Sequence, residues 1–175
     1  ASWMGLPVKH FIAANNRNDV FLEYLNTGVY TPRPSVATIA NAMDVGDPSN
    51  FARIMDLFDG YGDKHEEICQ WIHGYRFTDE DIEYTIRYVY KNDGYLLDPH
   101  GACGYQALIQ DALEADETGL FLETAHPAKF KDTVDRILEA DIEIPAKLKA
   151  FMQGTKQSIE LSKDFDTFKA YLMKQ

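Results

Sequence analysis

The chain has 175 residues, with 28 Asp and Glu against 17 Lys and Arg, and therefore carries a formal net charge of −11. That charge argues against nucleic acid or an anionic membrane surface as a partner, because both attract clustered basic side chains. The length suits a single domain, 45% of the residues are apolar, and no apolar run is long enough to cross a membrane. Cys69 and Cys103 are not spaced as a zinc or disulfide motif, which favours a reducing, cytoplasmic setting.

The N-terminal half predicts one strand and three helices. Met4–Pro7 is typical of a helix end, and the apolar run Val8–Ala14 that follows it predicts a buried strand. Helices are expected where apolar residues recur at helical spacing between caps and glycines. The first runs from Val20 to Gly28, the second from Ser49 or Asn50 through Phe58 to Gly60-Tyr61-Gly62, and the third through Ile68, Trp71 and Ile72 to Gly74. Val36–Val45 is ambiguous between a strand and a loop.

The C-terminal half predicts two more strands and a helical tail. Its expected strands are Tyr95–Asp98 and Leu120–Glu123. The expected helices run from Thr78 to Gly94, from Gly101 to Leu113 and from Lys129 to Ala140, and 145–175 forms a tail with two helices. The whole chain is therefore expected to be one α/β domain, with a short parallel sheet, many helices and a helix-rich C-terminus.

A sheet of three short strands is thin, and the chain opens on what is typical of a helix end. We therefore expect a partial domain whose partner strands lie elsewhere. An unpaired sheet edge of this kind favours self-association.

Three polar segments are expected at the carboxyl edge of this sheet, where open α/β folds bind ligands. They are Asn15-Asn16, Asp98-Pro99-His100 and Thr124-Ala125-His126. Each has a structural alternative: Asp98 can cap the following helix, and His100 and His126 can be ordinary hydrogen-bonding residues. A metal site formed by Asp98, His100 and His126 is disfavoured, because a histidine two residues from a carboxylate is common, and no metal is expected.

Other motifs are weaker. The helix start at Ser49 and Asn50, with Arg53 one turn on, could hold a phosphate, but a simple cap is the favoured interpretation. Gly60-x-Gly62 and Gly101-x-x-Gly104 are too sparse for a glycine-rich phosphate loop. No serine or cysteine lies in a nucleophile motif.

Four longer stretches match the motifs of one enzyme family. They are MGLPVKHFIAANNRNDVFLEYLNTGVY (Met4–Tyr30), NAMDVGDPSNFARI (Asn41–Ile54), FTDEDIEYTIRYVYKNDGYLLDPHGACG (Phe77–Gly104) and ETAHPAKF (Glu123–Phe130). In this order they resemble threonine synthase, a pyridoxal-phosphate (PLP) enzyme of the tryptophan-synthase-like fold, fold type II. Ala52 stands where the family usually has Glu.

The resemblance implies conversion of O-phospho-L-homoserine and water to L-threonine and phosphate. In such enzymes a lysine holds the cofactor as a Schiff base, and the cofactor ring is the electron sink. Thr124 matches the position whose hydroxyl faces the ring nitrogen, so it is the expected cofactor contact. Asn15, Asn16, Asp98, His100 and His126 lie in matching segments at the active-site edge, without individual roles assigned.

The family's Schiff-base lysine and glycine-rich phosphate loop both precede the segment where this chain begins. The resemblance therefore implies that residues 1–175 correspond to a C-terminal fragment of the catalytic region, inactive and without PLP on its own. Phe130-Lys131-Asp132 imitates the lysine motif, but its place after the last expected strand predicts that Lys131 is a solvated helix lysine.

Two other classes are compatible with the pattern. One is a fragment of another fold type II PLP lyase, such as a dehydratase, against which the stretches Asn41–Ile54 and Glu123–Phe130 argue. The other is a non-catalytic binding module that kept this subdomain.

Overall fold

The computed structural model describes residues 2–58 and 64–174. It contains a two-stranded parallel sheet and eight α-helices among these residues. In chain order they are β1 (Phe11–Asn15), α1 (Val20–Thr27), α2 (Phe51–Leu57), α3 (His65–Trp71), β2 (Ile72–Arg76), α4 (Asp79–Asp93), α5 (Pro99–Asp111), α6 (Lys131–Leu138), α7 (Ala146–Met152) and α8 (Phe165–Leu172). The expected helix stop at Gly60-Tyr61-Gly62 lies outside the described residues. The α/β class is confirmed.

Strand β2 replaces the end of a predicted helix, and that prediction was wrong beyond Trp71. Ile72 already has extended backbone angles, and β2 pairs with β1 in parallel, with Ile12 opposite His73. Gly74 does not end a helix. A Cβ atom there would lie 2.8 Å from the side chains of both Leu22 and Leu25, so glycine lets α1 pack directly on the strand.

The two other expected strands were also wrong. Tyr95–Asp98 and Leu120–Glu123 form no strand, because neither finds a hydrogen-bonded neighbour among the residues the structure describes. Leu97 is instead fully buried in the core, whereas Leu120 and Leu122 are exposed. Val36–Val45, left open by the sequence, is a loop.

The main core lies where α5 crosses the sheet and α4 packs against α5. Its buried members are Ala40, Phe77, Ile82, Ile86, Val89, Leu97, Ala102, Cys103, Ala107 and Ile137. Helix α4 follows its predicted period and begins with a capping box, in which the Thr78 side chain and the Asp81 carboxylate each accept a backbone N–H. It ends at Gly94, which adopts the left-handed conformation (φ 65°) that glycine tolerates best.

A buried polar network joins Asn16, which directly follows β1, to the loop Val36–Val45. The Asn16 amide nitrogen donates to the Thr38 hydroxyl and to the Asp44 carboxylate, both at 3.0 Å, and its oxygen accepts from the Asn18 backbone N–H at 2.8 Å. Asp44 also accepts from the Thr38 hydroxyl at 2.6 Å. These bonds hold the loop Val36–Val45 over the carboxyl end of β1.

The chain divides into two compact units, 1–142 and 143–175. The second contains α7 and α8, and both helices expose large apolar side chains, including Phe151 and Phe165. Among residues 2–58 and 64–174, no helix has both the length and the apolar character needed to cross a bilayer.

Candidate functional site

A cavity of about 410 Å³ opens at the carboxyl end of β1. Asn15 and Asn16 line it from the strand end, Asn50 from the start of α2, and His100 and Cys103 from the first turns of α5. Segments far apart in sequence therefore meet at one edge of the sheet, as expected for open α/β folds. Burial raises the pKa of the Cys103 thiol to about 12, so this side chain is a protonated wall residue and no nucleophile.

Asn15 and Asn16 line the cavity, but their side-chain amide nitrogens donate hydrogen bonds to other groups of the fold. Asn15 donates to the backbone carbonyls of Ala13 and Tyr75, each at 3.0 Å. Asn16 belongs to the network with Thr38 described above. Neither amide group has N–H donors left over for a ligand.

Asp98 begins helix α5 as its N-cap, with Pro99 in the first turn. Its side chain is fully buried, and one carboxylate oxygen accepts from the backbone N–H of His100 at 2.7 Å and of Gly101 at 3.2 Å. The capping alternative weighed for this residue is therefore what the structure shows. The Asp98 carboxylate also lies 3.2 Å from the Nδ1 atom of His100.

Glu123 is the site residue that the sequence interpretation missed. Its Oε1 atom accepts the backbone N–H of Asp98 at 3.1 Å, and its carboxyl group lies against Gly101, where a Cβ atom would be only 2.3 Å away. Burial, then the hydrogen bond and charge of Asp98, raise the pKa of Glu123 well above its usual range. Its place directly before Thr124 in the ETAHPAKF stretch was the available signal.

The pKa values of Asp98 and Glu123 shift in opposite directions. Burial would raise the pKa of Asp98, but the hydrogen bonds from His100, Glu123 and the helix backbone outweigh it and lower that pKa. Asp98 Oδ2 and Glu123 Oε2 are both buried and have no donor partner among the described residues. The raised pKa of Glu123 beside the lowered pKa of Asp98 favours the protonated form of Glu123 next to an ionised Asp98.

The imidazole of His100 is held by this pair. Because the Asp98 carboxylate is an acceptor, the Nδ1 atom of His100 donates to it. The Nε2 atom of His100 is buried and has no hydrogen-bond partner among the described residues. His100 thus lines the cavity, but its unpartnered nitrogen is not open to the cavity in this conformation.

Two predicted residues lie apart from this cavity. Thr124 is exposed, and it does not line the cavity. His126 is also exposed, and its Nδ1 atom accepts the Ala128 backbone N–H at 3.1 Å, which caps the short 3₁₀ turn Pro127–Phe130. A joint site of His126 with His100 and Asp98 is not formed among the described side chains.

The helix start at Ser49 and Asn50, for which phosphate binding was the less favoured alternative to a simple cap, is divided between two cavities. Asn50 occupies the cap position without a side-chain hydrogen bond, Arg53 is exposed, and Ser49 lines a separate cavity of about 460 Å³. Helix α2 has only seven residues, so its dipole offers little to an anion.

Lys131 begins helix α6, as expected, but it is not freely solvated. Its ammonium group donates to Asp135 at 2.6 Å, to Asp141, and to the backbone carbonyl of Ile142 at 3.0 Å. The Asp135 bond, followed by the Asp141 bond, raises the pKa of Lys131. A lysine amine must lose its proton to act as a nucleophile, so these contacts disfavour the role that the Phe130-Lys131-Asp132 motif imitates.

Residues 3–123 match the family model described as pyridoxal-phosphate dependent enzyme. The chain belongs to this family. Residues 101–172 also match the model described as threonine synthase, C-terminal. The stretch 101–123 falls in both, and it contains most of α5 and Glu123.

Three similar proteins, all of them threonine synthases, agree with the family match. Threonine synthase from Haemophilus influenzae is 41% identical over 174 residues, which are 99% of this chain and 40% of the relative. The crystal structure of threonine synthase from Escherichia coli has a TM-score of 0.81 at 38% identity, covering 99% of this chain and 39% of that one. A PLP-bound threonine synthase from Brucella melitensis has a TM-score of 0.84 at 29% identity, covering 98% and 41%.

The expected resemblance to threonine synthase is therefore confirmed along nearly the whole chain. The chain spans about two fifths of the length of the relatives that it matches.

Proposed function

We propose that this chain forms the substrate-side wall of a threonine synthase active site, in a protein that converts O-phospho-L-homoserine and water to L-threonine and phosphate. The observation that carries the proposal is the meeting of three resembling stretches at one cavity. Asn15 and Asn16 come from the first stretch, Asn50 from the second and His100 from the third. The fourth resembling stretch supplies Glu123, whose Oε1 atom accepts the backbone N–H of Asp98.

Within this site His100 is the residue that contacts substrate. Asp98 orients its ring through Nδ1, and Nε2, which has no partner among the described residues, is the nitrogen left to accept a hydrogen bond or a proton from substrate after a small rotation of the ring. Cys103 and the apolar side chains around it, such as Phe51 and Ile54, limit the access of water. Asn15 and Asn16 hold the wall in place.

Thr124 is the contact that we propose for PLP, as the resemblance implies, although it lies outside the cavity that His100 lines. Thr124 is exposed and directly follows Glu123, and a hydroxyl is the partner expected for an unprotonated ring nitrogen. When bound, the cofactor supplies the electron sink for the reaction. Burial and the neighbouring Asp98 raise the pKa of Glu123, which favours its neutral form next to Thr124.

The positive charge needed by a phosphorylated substrate is proposed to come from outside this chain. The net charge here is −11, and Lys131 is already bound to two carboxylates. The Schiff-base lysine is accordingly assigned to the part of the relatives that this chain does not match. The isolated chain is expected to be inactive.

The test joins this chain to the missing part of a relative. Its 175 residues replace the matching two fifths of the Haemophilus influenzae threonine synthase, and release of both phosphate and threonine from O-phosphohomoserine is measured. The hybrid should turn over, the isolated chain should not, and His100→Gln should lower kcat/KM by at least about 100-fold. A hybrid that folds and binds PLP but releases neither product contradicts the proposal.

His126→Gln is the matched control in the same hybrid. Because His126 is exposed and caps a 3₁₀ turn, we expect kcat/KM within about threefold of the parent hybrid. Equal losses of kcat/KM in His100→Gln and His126→Gln would show that His100 has no special role.

We further propose that the isolated chain is a cytoplasmic protein that self-associates. Its two unpaired cysteines fit a reducing compartment, and Leu120 and Leu122 are 79% and 72% exposed in an extended segment without a partner strand among the described residues. Sedimentation velocity should show concentration-dependent oligomers that Leu120→Lys with Leu122→Lys abolishes. A wild-type chain that is monomeric at 100 µM or so contradicts this proposal.

A further inference from the structure

A second cluster of chemically active side chains lies at the opposite end of the sheet. His10 directly precedes β1, His73 lies in β2, and Asp111 is the last residue of α5. The parallel register places Ile12 opposite His73. Since side chains alternate along a strand, His10 and His73 lie on the same face, which α5 covers. Asp111 reaches the two rings from the end of that helix.

The three side chains converge closely. The Asp111 carboxylate lies 2.5 Å from Nε2 of His10 through one oxygen and 2.7 Å from Nδ1 of His73 through the other. The two imidazole rings are stacked, with centroids 4.2 Å apart. One ligand atom from each residue lies within 4.8 Å of the other two. Tyr75 donates its hydroxyl proton to Asp111 at 2.8 Å.

Burial and charge at this cluster favour a cation. The Asp111 side chain is only 3% exposed and that of His10 13% exposed, whereas that of His73 is 45% exposed and leaves one open side. Asp111 also lies at the C-terminal end of α5, where the helix dipole adds negative potential. Glu117 lies nearby, paired with Lys9, and Glu114 and Asp116 also act on Lys9.

We propose that His10, His73 and Asp111 bind a divalent transition-metal ion, with Zn²⁺ as the best match. Two imidazole nitrogens and one carboxylate oxygen are a ligand set that zinc prefers, with bonds of about 2.0–2.2 Å. Tetrahedral ligand atoms at that bond length are about 3.3 Å apart. The nitrogen–oxygen distances of 2.5 and 2.7 Å therefore need to widen by less than about 1 Å, which small side-chain rotations supply.

The open side at His73 provides the fourth position, for water. Tyr75 keeps its hydrogen bond to Asp111 and orients the carboxylate, the usual role of a group just outside a metal site. The ion would tie the starts of β1 and β2 to the end of α5. It is thus a stabilising site, separate from the cavity at the other end of the sheet.

Calorimetric titration of the tag-free 175-residue chain with ZnCl₂ tests the proposal. One ion should bind with a Kd of about 1 µM or tighter, and saturation should raise the melting temperature. His73→Gln and Asp111→Asn should weaken binding at least about tenfold, and Tyr75→Phe, which keeps all three ligands, should weaken it about tenfold. His126→Gln is the matched control and should bind Zn²⁺ as the wild type does.

The wild-type chain supplies a readout that does not depend on how the variants fold. Zn²⁺ should shift the imidazole ¹H–¹⁵N signals of His10 and His73 and leave those of His65 and His126 unchanged. Co²⁺ should give the visible absorption of a tetrahedral site. Binding weaker than about 100 µM, or shifts of His65 or His126 as large as those of His10 and His73, would overturn the proposal and leave a hydrogen-bonded His–Asp–His cluster without a metal.

Discussion

Helix α5 carries a buried aspartate at each end, and the two carboxylates are stabilised in different ways. Asp98, at the N-terminus, accepts backbone N–H groups of His100 and Gly101 and lies at the positive end of the helix dipole. Asp111, at the C-terminus, faces the negative end and accepts only from side chains: His10, His73 and Tyr75.

This difference decides what each end has available for a ligand. At the N-terminus the backbone stabilises the carboxylate, so Nε2 of His100, a residue that lines the cavity, has no partner among the described residues. At the C-terminus the imidazole nitrogens that face Asp111 are already engaged with it. A ligand there must replace those hydrogen bonds, as a metal ion coordinated by the same imidazole nitrogens and carboxylate would. Four substitutions test this comparison.

Asp98→Ala should have the largest effect. It removes the helix cap and leaves His100 and the Glu123 carboxyl group without their buried partner. We expect a loss of about 3 kcal/mol in the free energy of unfolding, measured by urea denaturation. Asp132→Ala, on the exposed face of α6, is the control and should leave the midpoint within experimental error. Similar losses in both variants would mean that the N-terminal cluster has no special stability.

Gly101→Ala should come second, at about 2 kcal/mol. A Cβ atom at Gly101 would lie 2.3 Å from the Glu123 carboxyl group, which is held in place by Asp98 and cannot simply turn away. Gly104→Ala is the matched control on the next turn, where the nearest atom of Phe121 is 3.2 Å away. Urea denaturation should rank the two variants in this order. If Gly101→Ala leaves the free energy of unfolding unchanged, the Glu123 carboxyl group is free to move.

Glu123→Gln tests the protonation of Glu123 through pH. The pKa of Glu123 is raised in the folded state, so the stability it contributes is complete at or below its usual value near 4.5 and falls as the pH rises above it. Each pH unit above 4.5 lowers the stability by at most about 1.4 kcal/mol, and the partial exposure of Glu123 reduces this effect. Glu123→Gln should remove the decline and be more stable than the parent by about 1.5 kcal/mol near neutral pH. Melting temperatures at pH 5 and 7 measure it.

The matched control for this pH test is Glu66→Gln, at an exposed position on α3. It should keep the parent's pH dependence. If Glu123→Gln keeps it too, the proton does not lie on Glu123.

Tyr75→Phe should have the smallest effect, about 1 kcal/mol. It removes one of the three side-chain donors to Asp111 and leaves both histidines in place. The exposed Tyr84→Phe on α4 is the control, with a change of less than about 0.5 kcal/mol. A loss as large as that of Asp98→Ala would mean that the two ends of α5 depend on their partners equally.

Features with local causes were predictable from the sequence. The cap at Asp98 and the helix ends at Gly28 and Gly94 depend on residues within one or two turns, and the structure contains all of them. The amphipathic period of α4 likewise identified the buried Ile82, Ile86 and Val89, but it also included Tyr90, which is exposed.

Features with tertiary causes were not predictable. Gly74 was interpreted as a helix end. Its close contact with Leu22 and Leu25, which explains the glycine, exists only after α1 folds onto β2 and is therefore not visible in the sequence. Glu123 looked like an ordinary acid, because its burial depends on the start of α5. His10 and Asp111 are 101 residues apart, and only the strand register and the helix crossing bring them together.

The 13 residues of α5 make a rigid rod roughly 20 Å long, since each helical residue adds about 1.5 Å. Its first turn carries His100, and its last residue is Asp111. A rigid helix moves as one body. A movement of Asp111 along the helix axis therefore displaces the His100 imidazole at the other end by a comparable amount. The position of His100 relative to its cavity therefore depends in part on the contacts that His10 and His73 make with Asp111 at the opposite end of the helix.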